Sequence, residues 1–318
     1  MPVIPNVSVI IPTRNRPNLV VRAVHSALRQ TLTEIEVIVV IDGVDPTTQS
    51  ALAEIQDDRL AILELTENQG APNARNQGVL KAQSPWIAFL DDDDEWFPEK
   101  LEKQLEIAQK FKDRSNSIVV ACRLQATNPH KSYVVPRRLP DEDEPISEYL
   151  FVRKGIFRGE GSVITSTLLA SRDLLLAYPF TPSLRRHQEA DWILRVWGEK
   201  AGTLTFLEEP LGILHVDQNR PRVSETGDWR YSLQWIKDRH HLVTPKAYSA
   251  FILSAVTALA AREKAWLKSL SLLWEAQRYG RPSFTQYLLF LSMWIFPQDF
   301  RRTVREKWFS RQQRRRMT

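Results

Sequence analysis

A single cysteine, Cys122, occurs in 318 residues. That excludes an intrachain disulfide and a cysteine-based zinc site, and it suits a reducing compartment. No apolar run reaches the roughly 20 residues that a membrane-spanning helix needs. The two late apolar stretches, 248–261 and 284–296, both fall short and read as buried or interfacial helices. The opening Met1-Pro2-Val3-Ile4-Pro5 has no basic segment followed by an apolar one, so no signal peptide is evident. A phosphate-binding glycine loop is also missing. Where a dinucleotide-binding or P-loop protein would place Gly-x-Gly-x-x-Gly or Gly-Lys-[Ser/Thr], the chain reads Pro12-Thr13-Arg14-Asn15-Arg16-Pro17. Phosphate charge, if bound, must then be met by a metal and basic side chains.

Excess positive charge is absent from most of the chain. The formal net charge is +5. Between Gln298 and Thr318 eight Lys/Arg stand against two acids, so the remainder is about neutral. Basicity confined to one tail argues against a nucleic-acid-binding body. The tail also carries Trp308 and Phe309, a composition that suits an anionic membrane surface. A helix packed on the body with a solvated basic end is the alternative. Hydrophobic residues make up 43% of the chain, enough for a sizeable core.

What is present is a rhythm. Short β-branched runs at 7–11, 36–41, 60–65, 86–90 and 117–124 alternate with helical patterns that start near Pro17, Pro46, Pro72 and Pro98. That alternation predicts βαβ units in a mostly parallel sheet flanked by helices. The rhythm breaks into a polar stretch from 127 to 143. A helix is expected over 188–200, and amphipathic helices from about Pro245 onward. Three regions follow: 1–125 as an α/β half, 126–240 as a second half of the same domain, and 241–318 as a helical C-terminal region.

Directly after the run Trp86-Ile87-Ala88-Phe89-Leu90 come Asp91-Asp92-Asp93-Asp94. Four adjacent carboxylates repel one another unless a cation or water compensates them. Their place at the end of a buried strand is where open α/β sheets bind ligands. Asp42 ends another strand pointing the same way and could converge on the same crevice. An Asp-Gly turn explains Asp42 equally well. Hard oxygen ligands of this kind suit Mg²⁺ or Mn²⁺. Asp94 or Glu95 suits the turn and the cap of the helix behind the run.

The blocks Ser8-Val9-Ile10-Ile11-Pro12-Thr13-Arg14-Asn15-Arg16, Asn68-Gln69-Gly70 with Ala74-Arg75-Asn76-Gln77-Gly78, and Phe89-Leu90-Asp91-Asp92-Asp93-Asp94 together resemble family 2 glycosyltransferases, which have the GT-A (Rossmann-like) fold. The resemblance covers residues 6–115 and, more loosely, 155–225. It implies a nucleotide-sugar donor, UDP- or dTDP-linked, and inversion at the anomeric carbon. By that pattern Pro12, Thr13 and Arg14 line the nucleotide pocket and Asp42 binds the base. Asp91-Asp92-Asp93 would be the D-x-D motif, with Asp92 facing the ribose and Asp93 coordinating the metal. Gly43-Val44 stand where family members usually carry acidic residues. Arg75 either reaches the diphosphate or clamps an Asp of the run, and the clamp is favoured.

Transfer to a hydroxyl also needs a base. The stretch His187-Gln188-Glu189-Ala190-Asp191-Trp192-Ile193-Leu194-Arg195 resembles the family's second acidic motif. Glu189 and Asp191, two apart, point about 200° from each other on a helix. Asp191 stands four before Arg195, the order that favours an ion pair. Glu189 is therefore the expected base, with a longer side chain than the Asp that family members more often carry. His215, after a short apolar run, is either a structural residue or a further metal ligand. Arg220 and Arg222 either close over the diphosphate or form a solvated basic turn. The acceptor expected is a saccharide or lipid-linked saccharide at the cytoplasmic face of a membrane. The rivals are a non-catalytic nucleotide-sugar-binding scaffold and a sugar-1-phosphate nucleotidyltransferase. The latter wants the glycine loop that is missing here.

Overall fold

The structure, a computed structural model, describes residues 5–111, 117–128, 131–155, 160–198, 202–216 and 228–296. The chain forms two compact units, Met1–Leu139 with Ser162–Arg220, and Pro140–Gly161 with Pro221–Thr318.

The first unit opens as the alternation predicts, with β1 (Val7–Thr13), α1 (Pro17–Leu28), β2 (Ile35–Ile41), α2 (Pro46–Ala53), β3 (Leu60–Glu64), α3 (Ala71–Lys81) and β4 (Trp86–Phe89). β1, β2 and β4 are almost wholly buried, as β-branched runs covered by helices on both faces should be. α1 takes Pro17 at N1 and turns Val20, Ala23, Val24 and Ala27 into the core, one face of a 3.6-residue period. Asp45 caps α2, accepting from the Thr48 N–H at 3.1 Å. The remaining elements of this unit are β5 (Glu95–Trp96), α4 (Lys100–Phe111), β6 (Ile118–Asn128), β7 (Lys131–Val135) and, after 162, β8 (Leu169–Ser171), a helix Arg172–Ala177, a helix Gln188–Gly198 and β9 (Thr203–His215). Among the described residues the sheet runs β3-β2-β1-β4-β8-β6-β9-β5, with β7 paired to β6. β1 to β4 are parallel, and β8 enters antiparallel beside β4.

Three expectations change. The helix expected from Pro98 starts at Lys100, because residues 95–96 are first drawn into the sheet against Gly212 and Ile213 of β9. The polar break expected after 127 is a hairpin: β6 runs on to Asn128 and β7 returns along it. The boundary expected at 125/126 therefore cuts a strand, and the one at 240/241 cuts the short 3₁₀ turn His240–Leu242. The segment 140–161 belongs with the C-terminal helices.

That second unit is helical. It holds α5 (Ile146–Phe151), with the two helices of the first unit above becoming α6 (Arg172–Ala177) and α7 (Gln188–Gly198) in chain order. α8 (Trp229–Asp238), α9 (Pro245–Phe251), α10 (Thr257–Arg262), α11 (Ser269–Tyr279) and α12 (Phe284–Ile295) follow. A π turn, Ile252–Val256, joins α9 to α10. The expected helices at 248–261 and 284–296 are thus present. No helix among the described residues is long and apolar enough to cross a membrane. Phe151, Trp235 and Phe251 pack ring on ring at 4.9–6.2 Å in this unit's core.

Gly43, just past β2, has φ +98°, and a Cβ there would stand 3.0 Å from the Asn68 backbone nitrogen. The departure from an acidic residue at this position thus has a backbone reason in this chain. Gly43→Ala should cost about 1–3 kcal/mol, read as a lower urea midpoint with an unchanged slope.

Candidate functional site

The candidate residues gather at the C-terminal ends of β1, β2 and β4, the edge where parallel strands leave backbone groups open to a ligand. Pro12 and Thr13 close β1 and are buried, while Arg14 is exposed. Asp42 is 5% exposed, and its two oxygens accept from the backbone N–H groups of Gln69 and Gly70 at 2.8 Å each. It is a clasp between the end of β2 and the start of α3. This is how the Asn68-Gln69-Gly70 block is held beside the strand ends.

The acidic run is divided by its partners. Asp91 is clamped by Arg75, Nη2 to Oδ1 2.7 Å, so the expected clamp is what the structure places there. The same guanidinium, 4% exposed and 5.6 Å from the Phe180 ring centre, donates through Nη1 to Gln188 Oε1 at 2.8 Å. Asp92 is 5% exposed, accepting from Thr13 Oγ1 at 2.8 Å and from Arg16 Nη1 at 2.9 Å. Asp93 lies 3.6 Å from Arg16, and Arg22 donates to its backbone carbonyl at 2.7 Å. Asp94 is buried, and Ser166 Oγ donates to its Oδ2 at 2.6 Å. Neither Asp94 nor Glu95 caps α4. Glu95 sits in β5 and binds His215 Nε2 at 2.7 Å and Arg22 Nε at 3.2 Å. His215 at the end of β9 therefore has a structural partner.

The 3₁₀ turn Thr165–Thr167 ties this run to α7. Thr165 Oγ1 donates to Glu189 Oε1 at 2.5 Å, and the Asp91 N–H donates to Ser166 Oγ at 3.0 Å. Gln104 of α4 holds the turn from below, donating to the Thr167 carbonyl at 2.8 Å. Lys100 supports Gln104 at 2.6 Å and lies over the Trp96 ring at 3.8 Å, with burial pulling its ammonium down to about 8. Asp191, fully buried, pairs with Arg195 Nε at 3.0 Å and accepts from Thr181 Oγ1 at 2.8 Å. The two carboxylates of α7 thus face different surroundings, as their spacing requires. His187 turns the chain into α7 at φ 61°, and burial, then Arg186, holds its imidazole neutral, at about 3.

Burial governs the charges here. It pushes the Asp92 carboxyl up to about 6, against the pull of Arg16 and the Thr13 hydrogen bond. Burial lowers the Arg16 guanidinium, but Asp92, Asp93 and Asp91 outweigh it and leave it raised. Asp94 is held well above the carboxylate range by burial and by the charges of Asp91 and Asp93. A carboxyl near 6 when folded and near 3.8 when unfolded binds its proton more tightly in the folded chain. Asp92 should therefore contribute a fall in stability of up to about 3 kcal/mol as pH rises from about 4 to 6. Urea unfolding across that range without divalent cation, compared between the native chain and Asp92→Asn, isolates this contribution: the variant should lack it while the other carboxyls, Asp94 among them, keep theirs.

No cluster of three His, Cys, Asp or Glu side chains forms a metal cage among the described residues. A Mg²⁺-type ion does not need one, since it takes one or two carboxylates and completes its shell with substrate phosphates and water. Asp91 and Asp93, at 28% and 29% side-chain exposure, offer hard oxygens at the mouth of the site and fit such an ion. Arg220 and Arg222 lie outside the described residues, as does the basic tail from 297 onward.

Arg16, Gln188 and the Thr165–Thr167 turn were not singled out by the sequence. Arg16 closes the first block and Gln188 adjoins Glu189, so both stood beside a signal. The turn had none, because its partners lie 24 and more than 70 residues away.

The family model described as Glycosyl transferase family 2 matches residues 8–167, half of the chain. The putative teichuronic acid biosynthesis glycosyltransferase TuaG of Bacillus subtilis is 42% identical over 32% of this chain and 41% of its own. The putative colanic acid biosynthesis glycosyl transferase WcaA of Escherichia coli is 28% identical over 70% of this chain and 76% of its own. The amylovoran biosynthesis glycosyltransferase AmsB of Erwinia amylovora is 26% identical over 76% and 82%. S. aureus TarS 1–349, solved in complex with UDP-GlcNAc, superposes with a TM-score of 0.53 at 19% identity, over 81% of this chain and 66% of that one. That likeness identifies the fold as GT-A. With the matched segment running from β1 through the acidic run to the Thr165–Thr167 turn, the chain belongs to glycosyl transferase family 2.

Proposed function

We propose that the protein is an inverting glycosyltransferase that moves a sugar from a nucleoside-diphosphate donor, UDP- or dTDP-linked, to a hydroxyl of a saccharide or lipid-linked acceptor. One observation carries this reading. A single buried guanidinium, Arg75, joins Asp91 of the acidic run to Gln188, the neighbour of Glu189. With the Thr165–Thr167 turn, which bonds both Glu189 and the Asp91 N–H, this supports a site in which Asp91 would serve the donor side and Glu189 would be the separate carboxylate that transfer needs. The names of the relatives, all in biosynthesis of bacterial polymers, support a polysaccharide or its lipid-linked precursor as the acceptor class.

In this reading Pro12, Thr13, Arg14 and Asp42 border the nucleotide and Asp92 faces the ribose. Arg16, 43% exposed at its side chain, meets phosphate charge. Asp93, with Asp91 beside it and His215 as a further candidate, would hold Mg²⁺ or Mn²⁺, which when bound neutralises charge on the departing diphosphate. Glu189 accepts the acceptor's hydroxyl proton while that oxygen bonds to the anomeric carbon. The carbon–oxygen bond to the diphosphate breaks on the opposite face, and its electron pair leaves with the diphosphate. Attack opposite to departure inverts the centre. Thr165, bonded to Glu189, keeps the carboxylate oriented.

The test is a screen of nucleotide-sugars for slow donor hydrolysis with Mn²⁺, with and without chelator. Release of free nucleoside diphosphate from one donor, lost on chelation, is expected. A folded sample that turns over no donor would overturn the reading.

A further inference from the structure

The C-terminal unit presents an apolar face that the transfer reaction does not use. On α12, Phe284, Leu288, Leu291 and Ile295 follow one another at four, three and four residues, and all are at least half exposed. The opposite side of that helix buries Phe290, Met293 and Trp294. On α11 and the turn before it, Leu267, Leu270 and Trp274 make a second stripe at three and four residues, at 94%, 75% and 55% exposure. The two stripes are linked at two points: Trp266, in the turn before α11, packs on Trp294 at 4.9 Å, and Gln277 of α11 donates to the Tyr287 hydroxyl of α12 at 3.3 Å. An amphipathic helix with its polar side outward would leave no such stripe. Exposed apolar surface of this kind, in stripes on two linked elements, marks a contact.

We propose that this outward face of α11 and α12 docks on an anionic lipid bilayer. Charge selects that occupant. The chain that follows α12 carries eight Lys/Arg against two acids between Gln298 and Thr318, with Trp308 and Phe309 among them. Within the face, the Arg278 guanidinium lies over Trp274 and Tyr279 at 5.4 and 5.6 Å, the amphipathic aromatic and cationic pairing that suits a lipid–water boundary. A second copy of the chain would bring two strongly basic segments together, which anionic headgroups would instead attract. Since no helix among the described residues can span a bilayer, the contact is with its surface.

Flotation of the full chain with vesicles tests this, and no sugar donor is needed. Vesicles of phosphatidylcholine mixed with phosphatidylglycerol should carry the protein up, and phosphatidylcholine alone should carry little. Leu267→Ser/Leu270→Ser/Leu288→Ser should lower the partition at least about a hundredfold, from the transfer free energy of the lost leucines, with its circular dichroism unchanged. If that variant loses its helical signal, Leu267→Ser alone is read, with about a tenfold loss expected. Failure of the native chain to float, or full flotation of the folded variant, overturns the proposal. A native dimer that the variant converts to monomer, with no flotation, assigns the face to a second copy and overturns it too.

Discussion

Glu189→Gln should lower the transfer rate by about 10²- to 10⁴-fold while leaving donor affinity within about twofold. The amide still accepts from Thr165 Oγ1, so the side chain keeps its place and loses only its basicity. Melting temperature should move little, since Glu189 is only partly buried and Thr165 remains its partner. Asp191→Asn should behave in the opposite way. That carboxylate is fully buried between Arg195 and Thr181, and losing the charge costs about 1.5–3 kcal/mol of charge-assisted bonding. Its transfer rate should follow the fraction folded. Measuring kcat, donor Kd and unfolding on both variants separates the two roles. If Glu189→Gln retained full transfer while folded Asp191→Asn lost it, the base would be Asp191.

Arg75→Ala should be the most costly single change to the site as a structure. The guanidinium is 4% exposed and holds Asp91 and Gln188 at once. Removing it takes away the cation paired with Asp91, leaving Arg16, whose direct contacts are with Asp92 and Asp93, as the compensating charge, and leaves a void against Phe180. A loss of about 3 kcal/mol is expected, the low end for a broken buried pair because Asp91 keeps some contact with water. Arg75→Lys should recover little, because a single ammonium cannot supply the two divergent bonds. Double substitution with Asp91→Asn should cost less than the sum, since the orphaned charge goes too. Both unfolding free energy and the concentration of Mn²⁺ needed for donor hydrolysis report the effect.

Much of this site was readable before any fold was known. The acidic run stood out because four adjacent carboxylates after a buried strand have no structural economy of their own. The separation of Glu189 from Asp191 followed from helix geometry, and the Arg195 partner from a spacing of four. Asp42 was readable only as one of two things, base contact or turn. The turn bonds to Gln69 and Gly70 are seen in the fold, 27 and 28 residues away from it in sequence. The hairpin β6–β7 was missed because β7 is exposed over residues 132–134, and the alternation of Leu124 and Ala126 with polar neighbours on β6 is only two buried residues long. The short β5 was missed because two residues have no period at all.

Local sequence therefore determined the first four strands and their parallel sense, the helix that carries Glu189 and the position of the acidic run. Those features rest on periodicity, caps and turn chemistry, which act over a few residues. Tertiary structure alone decided that Arg16 pairs with both Asp92 and Asp93, that Glu95 pairs with His215, and that Thr165 and Ser166 join Glu189 to the run. It also decided that 140–161 joins the C-terminal helices and that the apolar stripes of α11 and α12 face outward. A hydrophobic period records that one side of an element is covered. It does not record what covers it, and buried polar side chains choose partners by position in space, where a bond of 2.6 Å can join residues 72 apart.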